Sequence, residues 1–192
     1  MAPSFCIDFS ELEQDQLLGF ARQSIESGLA GGTALELDGE NLAGNLSIQL
    51  GVFVTLTRFG ALRGCMGSSE SSDPLALSVA DCAFNAAFHD PRFPRLDDGE
   101  FEHTRIEISV LSKLEPLAAT DRADLLNRLR SREDGLLLED GSHRSIFLPR
   151  MWDIISDPEE FLGHLLTKAG LPGDHWSETI RFKRYRALSF GE

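Results

Sequence analysis

The sequence predicts an α+β fold with a largely antiparallel sheet and flanking helices. Two hairpin signals favour antiparallel pairing, because extended apolar segments meet at Phe59-Gly60 and again at Asp140-Gly141. Segments with helical spacing are interspersed among the extended ones, without the regular strand–helix alternation of a parallel sheet. The 192 residues contain no internal repeat and no low-complexity tract.

The first predicted element is a helix over residues 10–28. A capping-box pattern begins at Ser10, apolar residues then recur at helical spacing, and Gly28 can end the helix. Residues 29–50 are rich in Gly, Asn and Asp. This composition predicts a surface connection, with a short strand at 47–50.

A hairpin and a second helix are predicted next. Strands are expected at 51–58 and 61–66, and β-branched and aromatic residues dominate the first of them. Asp73 is the expected N-cap and Pro74 the expected first residue of a helix that extends to about Phe88. Small side chains along this helix suit close packing against a sheet.

The second half of the chain predicts a strand, a helix, a hairpin, a helix and a final strand. Their expected bounds are 104–112, 121–131, 135–139 with 144–148, Asp157-Pro158 to Gly170, and 179–190. The length fits a single domain over residues 1–192. Within it, the segment 51–95 is a candidate for much of a smaller lobe.

Charge and composition predict which partners the chain avoids. With 18 basic and 31 acidic residues the net charge is −13, which repels phosphate backbones and anionic membranes. We therefore expect no nucleic-acid partner. The run Arg181–Arg186 is a local basic patch with aromatic residues, and its alternative interpretation is a solvated strand face. No apolar stretch approaches the roughly 20 residues of a membrane-spanning helix, so no membrane association is expected.

The cysteines and the N-terminus point to the cytoplasm. Cys6, Cys65 and Cys82 are widely spaced and form no CxxC pair, which fits free thiols in a reducing compartment. The N-terminal residues lack the basic start and apolar run of a signal peptide. No metal-ligand spacing and no nucleotide-binding glycine motif occurs, so neither a metal nor another cofactor is predicted.

The principal candidate site is the stretch Arg63-Gly64-Cys65-Met66-Gly67 at the end of the first hairpin. Its glycines have no side chains to shield the thiol, and its arginine supplies positive charge, which favours a reactive thiolate. Backbone N–H groups of this stretch can also form an anion-binding nest. The alternative is an inert, buried Cys65 whose flanking glycines only permit tight packing.

Two further polar groups have two interpretations each. Asp90 and Arg92 flank a rigid proline and either contact a ligand or form an ion pair that locks the turn. Glu107 and Ser109 share a strand face, and are either surface residues or a buried pair that needs partners. His89 is a candidate base for Cys65 if the loops meet.

Several ordered segments resemble the AMMECR family, whose prokaryotic members are called AmmeMemoRadiSam system protein A. They are GVFVTLTRFGALRGCMG (51–67), NAAFHDPRFPRL (85–96), IEISVLSKLEPL (106–117), FLPRMW (147–152) and Lys168 to Leu171. The resemblance covers roughly residues 10–190. Met66 replaces the isoleucine usual in the family, and Arg150 and Met151 stand where the family tends to have glutamine and valine.

The resemblance implies an α+β protein with a larger and a smaller subdomain and no established activity. The system name implies association with a Memo-like protein and a radical S-adenosylmethionine protein. We therefore expect an accessory or binding component that acts through a groove around the LRGCMG motif. The candidate binding residues are Arg63, Gly64, Gly67, Asp90, Arg92 and Glu107. The alternative is a thiol-dependent enzyme with Cys65 as nucleophile or redox centre.

Overall fold

The computed structural model describes residues 8–192, which form two compact units. The first unit extends to Leu111 and also includes Leu188–Glu192, whereas the second comprises Ser112–Ala187. Each unit has a four-stranded antiparallel sheet and its own hydrophobic core. The predicted α+β class is therefore confirmed.

Helices and strands are interspersed along the described part of the chain. The helices are α1 (Glu11–Gly31), α2 (Leu75–Phe88), α3 (Asp98–Phe101), α4 (Arg122–Arg128) and α5 (Pro158–Lys168). The strands are β1 (Val52–Arg58), β2 (Ala61–Ser68), β3 (Thr104–Leu111), β4 (Glu115–Pro116), β5 (Gly135–Asp140), β6 (His143–Phe147), β7 (Arg181–Tyr185) and β8 (Ala187–Gly191). Short 3-10 helices cover Gly39–Asn41, Gly44–Ser47 and Pro149–Asp153.

The sheet of the first unit has the strand order β2-β1-β3-β8, which makes β2 an edge strand. β1 pairs antiparallel with both β2 and β3. Alternate residues of β1 and β3, such as Val54, Leu56 and Ile108, are fully buried, and α2 packs on β1 and β2. The period-two burial is what anchors this sheet to its helices.

The N-terminal helix begins where the sequence predicts and ends later. Ser10 Oγ accepts from Glu13 N at 3.3 Å and Glu13 Oε2 accepts from Ser10 N at 2.9 Å, which confirms the capping box. Gly28 does not end the helix, because Gly32 with φ 77° does. A Cβ on Gly28 would lie 2.2 Å from Phe88 Cε2, so this glycine instead allows α1 and α2 to touch.

Two predicted boundaries near the first hairpin are wrong. No strand forms at 47–50, because a 3-10 turn extends through Ser47 and the following residues lack a strand partner. The N-cap of α2 is Pro74 rather than Asp73: Pro74 is still extended, with ψ 142°, and its carbonyl accepts the first helical bond from Ser78 at 3.0 Å.

The second unit has the strand order β4-β7-β5-β6. The hairpin at Asp140-Gly141 joins β5 and β6 as predicted, with Gly141 at φ 59°. Its core includes Trp152, which stacks on Phe161 with ring centroids 3.7 Å apart and donates from Nε1 to the Asp134 carbonyl at 2.8 Å. The buried indole N–H is therefore satisfied.

The last part of the chain differs from its prediction. Instead of one strand over 179–190, β7 belongs to the second sheet and β8 to the first. Arg186, between them, donates its N–H to Ser112 Oγ at 2.9 Å and accepts from Ser112 N at 2.8 Å. Residues 51–95, the candidate for much of a smaller lobe, supply β1, β2 and α2 to the first unit.

Candidate functional site

A bulge in the edge strand sets the geometry of the predicted site. In the β1–β2 ladder Leu56 pairs with Gly64 and Thr57 pairs with Leu62, so Arg63 is the extra residue. If the register of the Thr57–Leu62 pair continued without the bulge, Cys65 would pair with Val54, on the face that packs against the helices. The bulge shifts the register by one and places Cys65 opposite Thr55.

Arg63 is buried and its charge is used within the fold. Its Nη2 lies 2.6 Å from Glu100 Oε2, its Nε 3.1 Å from Oε1, and Nη2 also donates to the Pro94 carbonyl at 2.9 Å. Arg63 is the first cause of a lowered pKa of Glu100, and Arg58 contributes to it. Arg63 therefore ties the hairpin to the segment before β3.

The two glycines of the motif allow close packing. A Cβ on Gly64 would lie 2.1 Å from the Ala86 carbonyl oxygen of α2, and one on Gly67 would lie 2.3 Å from the Val52 carbonyl oxygen. Real Cβ atoms do not approach backbone oxygens this closely. These positions fit the packing interpretation of the glycines that the sequence left open.

Cys65 lies in a row of polar residues across the sheet. It pairs with Thr55 on β1, which in turn pairs with Glu107 on β3. The Thr55 hydroxyl donates to Cys65 Sγ at 3.4 Å. Thr55 is buried, whereas the side chains of Cys65 and Glu107 are half-buried. Ser109, next along that face, is buried and hydrogen-bonds Ser189 at 2.8 Å.

Asp90 and Arg92 hold the backbone of Cys65 between them. The Cys65 N–H donates to Asp90 Oδ2 at 2.9 Å, and Arg92 Nη2 donates to the Cys65 carbonyl at 3.3 Å. Arg92 Nη2 and Asp90 Oδ2 are 2.6 Å apart. The ion pair thus takes the place of a neighbouring strand at this point of the edge. We refer to Cys65, Asp90 and Arg92 together as the Cys65 clamp.

The charges in the Cys65 clamp stabilise one another. Hydrogen bonding by Arg92 is the main cause that lowers the pKa of Asp90 from 3.8 to about 2, and the Cys65 N–H adds to it. Asp90 in turn raises the pKa of Arg92, with a smaller contribution from the Cys65 side chain. The cation beside the thiol is therefore Arg92 rather than Arg63.

Some candidate residues converge and others do not. Cys65, Asp90 and Arg92 come together, and Glu107 shares their row through Thr55. His89 instead pairs its Nδ1 with Asn85 Oδ1 at 2.9 Å and packs edge-on against Phe84. Sequence reasoning missed Thr55. The alternation of Thr55 with apolar residues along β1 indicated its face of the strand. The bulge that sets Thr55 opposite Cys65 could not be predicted from the sequence.

Cys82, the other described cysteine, is a weaker candidate for a reactive thiol. Burial is the main cause that raises the pKa of Cys82 from 9.0 to about 12, and Asp81 adds to it. Cys82 lines a cavity of about 730 Å³ whose wall also carries the carboxylates of Glu36, Asp73 and Asp81. Cys6 lies outside the described residues.

Two kinds of feature do not occur in the described part of the chain. Within residues 8–192, no group of three or more His, Cys, Asp and Glu side chains is placed to hold a metal ion. Over the same residues, no helix combines the length and apolar character that a membrane crossing requires.

Comparison with known proteins gives the family. The AMMECR1 family model matches residues 18–190. This chain belongs to the AMMECR1 family. A family relative from Methanothermobacter thermautotrophicus is 37% identical over 193 residues, spanning 96% of this chain and 98% of the relative. One from Methanocaldococcus jannaschii is 34% identical over 181 residues, spanning 90% and 87%.

A solved structure has the same AMMECR1-type fold. The crystal structure of an uncharacterized protein from Pyrococcus horikoshii matches with a TM-score of 0.84 at 33% sequence identity. The match covers 92% of this chain and 89% of the other. The resemblance drawn from the motifs is thereby confirmed.

Proposed function

We propose that this AMMECR1-family protein is an accessory binding component that acts with a Memo-like protein and a radical S-adenosylmethionine protein. The binding surface is the Cys65 clamp, with Glu107 beside it. The observation that carries the proposal is the contrast within the ion pair: the Asp90 side chain is 2% exposed, whereas that of Arg92 is 54% exposed. A buried carboxylate thus fixes a cation that still faces solvent.

Such a cation suits the recognition of an acidic group. A guanidinium held at one edge retains N–H donors for a carboxylate on a partner or a small substrate. Its position is fixed before binding, which lowers the entropy cost of forming the contact. The two partners are inferred from the family resemblance, and the binding surface is inferred from the geometry of the Cys65 clamp.

A thiol-dependent reaction at Cys65 is the second candidate. The Thr55 hydroxyl bond to Sγ and the nearby Arg92 favour it. Against it, nucleophilic catalysis needs a base within hydrogen-bond reach, and the base candidate from the sequence, His89, is bonded to Asn85. Binding is therefore the better supported role.

A pull-down from native lysate tests the proposal. Wild type, Arg92→Gln, Arg92→Lys and Cys65→Ser serve as baits, with Arg95→Gln as a matched control on the same exposed loop. We expect both partners with wild type, Cys65→Ser and Arg95→Gln, an intermediate yield with Arg92→Lys, and about tenfold less with Arg92→Gln. Thermal melts confirm that each bait is folded, because Arg92→Gln leaves Asp90 unpaired.

Two results contradict the proposal. One is recovery of neither partner by the wild type. The other is equal recovery by wild type and Arg92→Gln. Loss of the partners with Cys65→Ser but not with Arg92→Gln supports the thiol-dependent alternative instead.

A further inference from the structure

The second unit contains a cavity of about 480 Å³ at one edge of its sheet. β4 covers β7 only opposite Arg184 and Lys183, and Leu117 N adds one bond to the Phe182 carbonyl at 2.8 Å. Beyond that point Ala118 and Ala119 line the cavity with small side chains. The edge of β7 is therefore left open, and the space lies within the range of small-molecule sites.

The wall of this cavity is largely apolar and aromatic. Leu117, Ile180 and Phe182 line it and are buried, and Trp176 lines it from the loop before β7. The Trp176 and Phe182 rings stack at 26° with centroids 5.7 Å apart. A half-buried indole of this kind favours a flat, apolar ligand.

The charged residues of the lining are Arg181, Lys183 and Glu139, which give it a net charge of +1. Lys183 Nζ lies 3.2 Å from Glu139 Oε2, so these two lining charges offset each other. Arg181 stands opposite Glu139 in the β5–β7 ladder, but its guanidinium donates at 2.8 Å to the carbonyls of Glu178 and Ile180. In a chain with a net charge of −13, this cavity thus carries local positive charge that suits a single anionic group.

The aromatic wall is held in place by a carboxylate. Asp140, at the end of β5, accepts hydrogen bonds from Thr179 Oγ1 at 2.6 Å, Ser177 Oγ at 2.8 Å and His175 Nε2 at 2.8 Å. These three residues surround Trp176 in the sequence. Their bonds, of which that from Thr179 is the largest cause, lower the pKa of Asp140 to about 2. The loop is therefore fixed before any ligand arrives.

We propose that this cavity is a binding site for a small aromatic carboxylate. The flat ring lies against Trp176 over the apolar wall, and the carboxylate pairs with Arg181. The site shares no residue with the Cys65 clamp and does not depend on the function proposed there. It assigns a role to the basic and aromatic run of β7, for which the sequence offered only nucleic acid or a solvated face.

Titration with 2-naphthoate, followed by tryptophan fluorescence, tests the site. The chain has two tryptophans, of which Trp152 is 2% exposed, so quenching reports on Trp176. After correction for absorption by the ligand, we expect saturable quenching with a Kd below about 1 mM. Trp176→Phe keeps an aromatic wall and should remove most of the quenching.

The charged variants test the chemistry of the site. Arg181→Gln should weaken 2-naphthoate binding, measured by calorimetry, by about tenfold. It should leave the neutral analogue 2-naphthalenemethanol unaffected. Asp140→Asn should weaken both ligands, because the wall loses its anchor. Arg128→Gln, at an exposed arginine of the same unit, is the matched control and should change neither.

Three results overturn the proposal. These are the absence of saturable binding, quenching that persists in Trp176→Phe, and equal naphthoate affinity for wild type and Arg181→Gln. Because Trp176→Phe and Arg181→Gln act on separate readouts, misfolding of one variant does not decide the other.

Discussion

At the scale of single residues, the arginine close to Cys65 in the sequence is not the arginine that contacts it in the structure. Arg63 and Arg92 are both near Cys65, Arg63 in sequence and Arg92 in space, but Arg63 is paired with Glu100 and Arg92 lies at the Cys65 clamp. These contacts do not support the interpretation of Arg63 as the cation that favours the Cys65 thiolate. Arg92, which the turn at Pro91 places beside Cys65, can act as that cation instead.

The two described thiols should differ in reactivity. Because burial raises the pKa of Cys82 from 9.0 to about 12, its reactive thiolate is about a thousandfold rarer at pH 8, and Cys65 should react with iodoacetamide at least about tenfold faster. Peptide mass spectrometry over time measures both rates in a Cys6→Ser background. Equal rates, or faster labelling of Cys82, would support an inert Cys65.

Asp90 should make stability fall in acid. Because its pKa is lowered from 3.8 to about 2 in the folded state, its ionised form contributes about 2 kcal/mol above pH 4. This contribution is lost as the pH falls from about 4 to about 2. Urea unfolding at pH 6 and pH 2.5 should therefore show a larger loss for wild type than for Asp90→Asn. Equal losses in the two proteins would show that Asp90 is not stabilised in the fold.

At the scale of elements, the β1–β2 register and the close approach of α2 to β2 determine the geometry around Cys65. The bulge at Arg63 turns Cys65 away from the helices, and Gly64 then faces the Ala86 carbonyl of α2. A strand that carries a side chain at position 64 has no room beside this helix. The motif thus owes part of its composition to the packing of α2 on β2.

Two glycine-to-alanine changes should have opposite effects. Gly64→Ala forces a Cβ within 2.1 Å of a backbone oxygen, and should lower the free energy of unfolding by more than about 2 kcal/mol. Gly19→Ala lies within α1 with nothing within 4 Å of its Cβ, and should raise it by up to about 1 kcal/mol. Urea denaturation measures both. A neutral Gly64→Ala would show that α2 can move away from β2.

At the scale of the whole molecule, the chain builds two cores. The second unit is inserted between β3 and β8 of the first, and each buries its own apolar cluster. Leu17 of α1 lies in the first cluster and Leu165 of α5 in the second, and both are fully buried. Separate cores favour separate local stabilities.

Core truncations should act mainly on their own unit. Leu165→Ala should cost about 2–5 kcal/mol and lower amide protection chiefly within Ser112–Ala187. Leu17→Ala is its counterpart and should lower protection chiefly in the first unit. Native-state hydrogen exchange with peptide resolution measures both. Equal loss of protection in both units after either change would show that the two cores unfold as one.

The sequence alone determined the type of most elements and the family. Apolar spacing, the capping box at Ser10 and the hairpin turn at Asp140-Gly141 act within a few residues, so they can be identified without the fold. The sequence also singled out the motif around Cys65 and the turn at Asp90, which the fold brings into contact. The helix end at Gly28 was predicted wrongly, because this glycine lies against Phe88 of α2, a contact that local spacing does not reveal.

Only the tertiary structure decided how these pieces meet. The one-residue bulge at Arg63, the pairing of Arg63 with Glu100 and the hold of Asp90 and Arg92 on Cys65 join residues 25 or more positions apart, or alter the register on which such pairs depend. The division of the last segment between two sheets is of the same kind. Contacts across such distances depend on how the whole core packs, and a single sequence does not specify them through local preference.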